Sequence, residues 1–303
     1  MIITGKRRRS IKYLYPWQRN ICIDNRQNSS NLRDYQIKIE ITDTNTLNKM
    51  KDNAEDIRFY AGITKLSYWI EEKTSSKLVV WVKVPLIPGS STTRIYMYFG
   101  NPSATSESNG EAVFEFFDDF EGTSLDTSKW NIISGSPTVS DGRLQLAKGD
   151  KIESVKTIDF SNSYIIETTL NYGWGGETSH SYLSFISLAD SAKWLRLHQK
   201  DIVGTGEDQW LEDWTGDIGS RCHPNTNAPL YRKIIWNANT NQVSHYHESC
   251  GWLASNVSNS NIPQIGEAKI QYFHEYGTST NFVSDYIKIR KYTDPEPLVM
   301  VES

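Results

Sequence analysis

Flat aromatic rings recur beside charged side chains through the second half of the chain. Trp194, Arg196 and His198 alternate along one short segment, so an extended backbone turns all three to one face. Trp210 and Trp214 flank an acidic loop that holds Glu212. Tyr172 and Trp174 fall in Tyr-Gly-Trp-Gly-Gly, where the glycines make a loop and leave the indole without strand neighbours. Such a set suits sugar recognition. The apolar C–H face of a sugar ring stacks on an aromatic ring, and its hydroxyls need planar polar partners. The expected binding residues are Tyr172, Trp174, Trp194, Arg196, His198, Trp210, Glu212 and Trp214, with Trp252 a further ring of the same kind. Trp69, Trp81, Trp130 and Trp236 read as core.

The thiols and imidazoles say less. Cys22, Cys222 and Cys250 match no paired C-x-x-C zinc spacing. Cys222 and Cys250 flank one predicted hairpin and could be bridged, whereas Cys22 reads as a buried free thiol on a strand. His245 and His247 would share one strand face near His223, a weak zinc signal without a defined third ligand. Exposed or hydrogen-bonded histidines are the expected state. No G-x-S-x-G elbow and no phosphate-binding glycine loop follows a strand. No catalytic residue is assigned.

The elements that must position these residues are strands. Tyr35, Ile37, Ile39 and Ile41 alternate with polar residues, and 77–84 and 93–99 repeat the pattern. Thr46–Asn53 is the one helical segment expected in the first half. Gly-Asn-Pro at 100–102 and the polar stretch to 110 read as a linker. The division expected is an N-terminal arm (1–15), a β-sandwich domain (16–110) and a second sandwich (111–303). The 303 residues carry a net charge of -4, against a general nucleic-acid binder. No apolar run is long enough to span a bilayer, so no membrane insertion is expected. The basic run Lys6–Arg9 has no apolar segment after it, so no secretory signal peptide is expected in it.

Two resemblances add to this reading. Trp17-Gln-Arg-Asn-Ile-Cys-Ile-Asp-Asn, Asp56-Ile-Arg-Phe, Val80-Trp-Val-Lys-Val-Pro and Ile95-Tyr-Met-Tyr-Phe-Gly-Asn-Pro resemble an uncharacterised family of bacterial and archaeal β-domains. The resemblance implies an exported or surface-displayed domain and no reaction. Phe117-Asp-Asp-Phe-Glu-Gly, Leu125-Asp-Thr-Ser-Lys-Trp, Asp141-Gly-Arg-Leu-Gln-Leu and Ser284-Asp-Tyr-Ile-Lys-Ile-Arg-Lys-Tyr resemble the concanavalin A-like lectin/glucanase superfamily. That implies a jelly roll over 111–303. It also implies one structural Ca²⁺, with Asp119 and Asp285 at the matching positions. Glucanases of this fold use an E-x-D-x-x-E run, which sets two carboxylates about 5–5.5 Å apart. The run is absent here. In the nearest acidic cluster Glu207 and Glu212 are five apart, on opposite faces of a straight strand.

The expectation is an all-β chain of two tandem β-sandwiches that binds a glycan or cell-surface polysaccharide without cleaving it. Its place would be extracellular, on a cell surface or on a virion. A structural virion protein, a capsid decoration or fibre subunit using the lectin-like fold for assembly or host attachment, is the first alternative, with further copies of itself or other virion or surface proteins as partners. A polysaccharide-cleaving hydrolase is the second.

Overall fold

The computed structural model describes residues 14–172, 179–202, 206–224, 229–276 and 282–302. The side chains of Tyr172, Asp201, Ile202, Glu207 and Tyr276 also lie outside the description. The chain forms two compact units, Met1–Phe114 with Thr293–Ser303, and Glu115–Tyr292. Among the described residues no helix is long and apolar enough to cross a membrane.

The first unit holds β1 (Trp17–Asp24), β2 (Leu32–Ile41), α1 (Thr44–Leu47), β3 (Arg58–Ala61), β4 (Thr64–Leu66), β5 (Tyr68–Lys73), β6 (Leu78–Ile87), β7 (Thr92–Phe99) and α2 (Gly110–Val113). On β2 Tyr35, Ile37, Ile39 and Ile41 are all 3% exposed or less, whereas β6, the middle strand of its sheet, is buried on both faces from Leu78 to Val82. One three-stranded sheet runs β2-β6-β5. The expected helix at 46–53 is only the four-residue α1, started by the Asp43 carboxylate accepting from the amides of Asn45 and Thr46. The chain then turns, and Ala54 takes a φ of 54°, which no helix continues through. Cys22 is half-exposed rather than buried, because Ile21 and Ile23 take the core side of β1.

The second unit holds β8 (Phe116–Asp118), β9 (Trp130–Ser134), β10 (Thr138–Ser140), β11 (Arg143–Leu146), β12 (Lys151–Asp159), β13 (Tyr164–Tyr172), β14 (Ser179–Ser187), β15 (Trp194–Ile202), β16 (Gly206–Asp213), β17 (Gly216–Cys222), β18 (Leu230–Asn237), β19 (Gln242–His247), β20 (Gly251–Ser258), β21 (Glu267–Tyr276), β22 (Phe282–Ser284) and β23 (Ile287–Lys291). A seven-stranded sheet runs β17-β16-β15-β14-β21-β12-β9. A nine-stranded sheet runs β10-β11-β22-β13-β18-β19-β20, with β23 and β8 branching from β13. All pairings are antiparallel, and one core takes Phe185 and Tyr272 from the first sheet and Trp236 and Ile289 from the second. This is the all-β, two-sandwich class expected, and Trp130 and Trp236 are core at 1% and 0% exposure.

The domain boundary differs from the expectation at the C-terminus. The chain leaves the first unit after Phe114 and returns to it at Thr293. There β24 (Leu298–Glu302) pairs with β1, Cys22 facing Met300, and completes a sheet ordered β24-β1-β7-β3-β4. The physical reason is in the segment itself. Val299 and Val301 alternate with outward residues and pack on the first unit's core. The Tyr35 hydroxyl also donates to Glu296 at 3.0 Å. The second unit is thus an insertion in the first. Its entry and exit lie side by side, with the Glu115 amide donating to the Ile289 carbonyl at 2.8 Å.

Candidate functional site

On β15, Leu195 and Leu197 enter the core, so Trp194, Arg196 and His198 face away from it. Antiparallel register spreads that pattern sideways. Arg196 lies opposite Glu212 and Ser184, and His198 opposite Trp210 and Tyr182. Tyr182 in turn lies opposite Phe273. One outward row therefore crosses four strands, β16, β15, β14 and β21.

The row is joined by hydrogen bonds. Glu212 Oε1 accepts from Arg196 Nε and, at 2.9 Å, from His198 Nδ1. Its Oε2 accepts from Trp210 Nε1 at 2.9 Å. A carboxylate only accepts, so His198 carries its proton on Nδ1. His198 Nε2 then accepts from His180 Nδ1 at 2.8 Å. The Tyr182 hydroxyl, 3.2 Å from His180 Nδ1, donates to Glu275 Oε2 at 2.8 Å. Cations cover the rings: Arg196 lies 3.9 Å from the Trp194 centroid and 4.2 Å from that of Tyr182. Arg221 lies 4.1 Å above Trp210, and Lys151 4.2 Å above Phe273.

The electrostatics follow from this packing. Burial pushes the Glu212 carboxyl up, but the His198 hydrogen bond, the Arg196 guanidinium and the Trp210 N–H together hold it at about 2. Burial, then the neighbouring His198, holds His180 down at about 4. Burial also lowers His198, against the pull of Glu212. At neutral pH the row is an ionised carboxylate, a guanidinium and two neutral imidazoles.

The expected binding residues divide. Trp194, Arg196, His198, Trp210 and Glu212 come together. Of these, Trp210, His198 and Glu212 are buried at 3%, 5% and 8% exposure, so they support the face rather than present it. Trp194 and Arg196 are half-exposed. Trp214 does not join the row. The Asp213 carboxylate accepts from the Thr215 amide and hydroxyl, turning the chain there, and Trp214 packs on the core. Tyr172 ends β13, on the other sheet, and its side chain lies outside the described residues, as does the whole of Trp174. Inspection of the sequence missed His180, Tyr182, Phe273 and Glu275. Their signal is parity, since His180 and Tyr182 alternate with the core residues Ser181 and Leu183.

Asp217 on β17 lies opposite Glu212 and is paired with the Arg221 guanidinium at 2.8 Å, whereas the other acids stand apart. Glu212 and Glu275 are separated by β15 and β14, three strand spacings or roughly 14 Å of backbone. Asp208 lies four residues from Glu212 on the same strand, roughly 13 Å along it. It accepts from His223 at 2.5 Å. Asp285 is held by Arg143 Nε at 2.8 Å, so a cation there would have to displace a guanidinium. Among the described residues neither Asp119 nor Asp285 belongs to a group of three or more close His, Cys, Asp or Glu side chains, so a calcium ion there would have to draw its remaining ligands from carbonyls. Cys222 and Cys250 are bridged, with Cα atoms 6.0 Å apart.

A family model described as a domain of unknown function (DUF2341) matches residues 53–133, under a third of the chain. No curated protein matches in sequence. Solved structures that the chain resembles include the carbohydrate recognition domain of Emp47p, with a TM-score of 0.45 and 11% identity over 58% of this chain and 94% of that one. LamAcat from Zobellia galactanivorans gives 0.45 and 14% identity over 60% of this chain and 100% of the other. A Bacillus licheniformis β-glucanase gives 0.39 and 10%, over 58% and 98%. Likeness at this level says nothing of a site or a reaction.

Proposed function

We propose that the second unit binds a glycan on the outward face of its seven-stranded sheet and does not cleave it. The observation that carries this is the row from Glu212 to Glu275, in which buried groups fix half-exposed ones. Glu212 and Tyr182 hold Arg196 and His180 in place, so Trp194, Arg196, His180 and Glu275 are pre-positioned for a ring face and its hydroxyls. Binding without cleavage rests on the carboxylates. A glycosidase needs two of them about 5–9.5 Å apart, one holding a proton near neutrality. Glu212 is held at about 2, so it has no proton to give near neutrality, and Asp217, its neighbour on β17, is paired with the Arg221 guanidinium at 2.8 Å. The shallow, open character of a sheet face points to weak single sites and reliance on multivalency. Nothing observed favours the virion or self-assembly alternative.

The test pairs an immobilised-polysaccharide panel with a reducing-sugar assay on the same ligands. The expected result is retention of the protein on at least one polysaccharide, no new reducing ends, and loss of retention in Trp194→Ala. Release of reducing sugar would end the non-catalytic reading. Retention unchanged by Trp194→Ala would end the assignment to this face.

A further inference from the structure

Cys222 closes β17 on the seven-stranded sheet. Cys250 lies in the turn between β19 and β20 on the nine-stranded sheet. The bridge between them ties the two sheets together and needs no imidazole. Yet His247, which is 0% exposed, sits against it. The two sulfurs and a His247 ring nitrogen all lie within 4.8 Å of one another. Among the described residues this is the one cluster of its kind.

The surroundings of His247 select one nitrogen. Its Nε2 is 2.8 Å from Gln209 Oε1, an acceptor, so Nε2 carries the proton and donates. Its Nδ1 accepts from the Ser249 amide at 3.0 Å, so the ring's lone pair is on Nδ1, inside the turn that carries Cys250, and a metal ion there would take the place of that N–H. A metal-bound histidine is held in this manner, with its other N–H donated to an oxygen. His247-x-x-Cys250 also spans a tight turn, closed by the Cys250 amide donating to the His247 carbonyl at 3.2 Å. Two ligands across such a turn, with a third from a facing strand, make three protein positions of a tetrahedral thiolate–imidazole site. His223, next in sequence to Cys222, is turned to Asp208 and takes no part.

We propose that the reduced protein binds one Zn²⁺ through Cys222 Sγ, Cys250 Sγ and His247 Nδ1, with water at the fourth position, on the exposed Cys250 side. The disulfide and the zinc-bound dithiolate are two interchangeable staples at one place in the sandwich. A dithiol reductant supplies two electrons and two protons by exchange: the S–S bond breaks, two thiols form, and the dithiol closes to its own disulfide. Zn²⁺ then takes the two thiolates and releases two protons.

The test uses the full chain, reduced with dithiothreitol, desalted under nitrogen and titrated with Co²⁺ as a coloured stand-in for Zn²⁺. The expected result is one equivalent bound, with thiolate-to-cobalt charge-transfer absorption and four-coordinate d–d bands. One equivalent of Zn²⁺ should bleach both, and the oxidised protein should show neither. Cys250→Ser should lose most of the charge-transfer band, and His247→Ala should change the d–d pattern. Gln209→Ala should keep the pattern and weaken Zn²⁺ binding roughly 10- to 100-fold. Far-ultraviolet circular dichroism follows the strands throughout. No Co²⁺ uptake by reduced protein that keeps its strands would overturn the proposal. So would uptake without a thiolate band, uptake and bands unchanged in His247→Ala, or strand signal lost on reduction and not restored by Zn²⁺.

Discussion

The two outward faces of the second unit each carry a largely buried glutamate, and the two are built to different ends. On the nine-stranded sheet Glu167 lies 3.6 Å from Lys288 Nζ and 3.8 Å from Arg290 Nε, and accepts from the Tyr231 hydroxyl at 2.5 Å. Lys288 and Arg290 are themselves 2% and 7% exposed, so that cluster is closed on itself. On the seven-stranded sheet Glu212 begins a chain that runs through His198, His180 and Tyr182 to the exposed Glu275. A closed cluster can only hold strands together. A chain that starts buried and ends in solvent can also hold exposed groups in position for a ligand, and the difference lies in where the hydrogen bonds end.

The largest expected effect falls on the closed cluster. Glu167→Ala leaves two buried cations without their shared carboxylate and should cost about 3–5 kcal/mol in urea denaturation. Glycan binding by the folded fraction should not change. A loss under about 1 kcal/mol would mean that Lys288 and Arg290 find other acceptors, and the two clusters would no longer contrast. Glu212→Ala should come next, at about 2–4 kcal/mol, because its partner Arg196 has a side chain 26% exposed and water recovers part of the charge. This variant, unlike the first, should also lose polysaccharide retention when measured well below its melting temperature.

How much of this was legible in the chain divides along the same line. Alternation within a segment was readable, so Trp194, Arg196 and His198 were placed on one face from their spacing alone. What joins segments was not. Glu212 meets Arg196 only because β15 and β16 pair in one register, and a shift of one residue would have put Leu211 there. Trp214 looked like Trp210 in the sequence, and the turn fixed by Asp213 separated them. The return of β24 to β1 depends on a pairing across more than 270 positions, which local alternation cannot announce. Trp130 and Trp236 were legible as core because large rings within apolar strands have one place to go.

Exposed rings give a middle-sized test of which face binds. Trp252, on the nine-stranded face, is 49% exposed, edge-on to Tyr246 at 5.5 Å. Trp194 is less exposed, but it lies beside Arg196 and the histidine row. If pre-positioned polar groups matter more than open ring area, Trp194→Ala should weaken polysaccharide binding roughly tenfold, about 1.4 kcal/mol. Trp252→Ala should leave it unchanged. Affinity electrophoresis on both variants settles the order, and the reverse result would move the site to the other sheet.

The smallest expected effect is a difference in pH response, and it has opposite signs on the two faces. His180 is held at about 4 against an ordinary 6.5, so the unfolded chain binds its proton first as acid is added. Its contribution is whole above about 6.5 and is lost as pH falls toward 4. The groups facing it do not cancel this. Arg196, Lys200 and any charge on His198 oppose its protonation, and only Glu275 favours it. Glu212 extends the loss lower, from about 4.5 toward 2. The Tyr231 hydroxyl behaves in the opposite way. Burial and then the Glu167 charge push it well above 10, so the unfolded chain gives up that proton first. Its contribution is whole below about 10 and falls as pH rises beyond. Tyr164 and Tyr272 are raised as well, chiefly by burial, so Tyr231→Phe should shrink the alkaline slope without removing it. His180→Gln should flatten the acid slope between pH 4 and 6.5 and leave the alkaline one alone. Thermal melts across pH should separate each variant from the parent by on the order of 2 °C at the relevant end only. A variant that moved both ends equally would show that the two faces do not titrate independently.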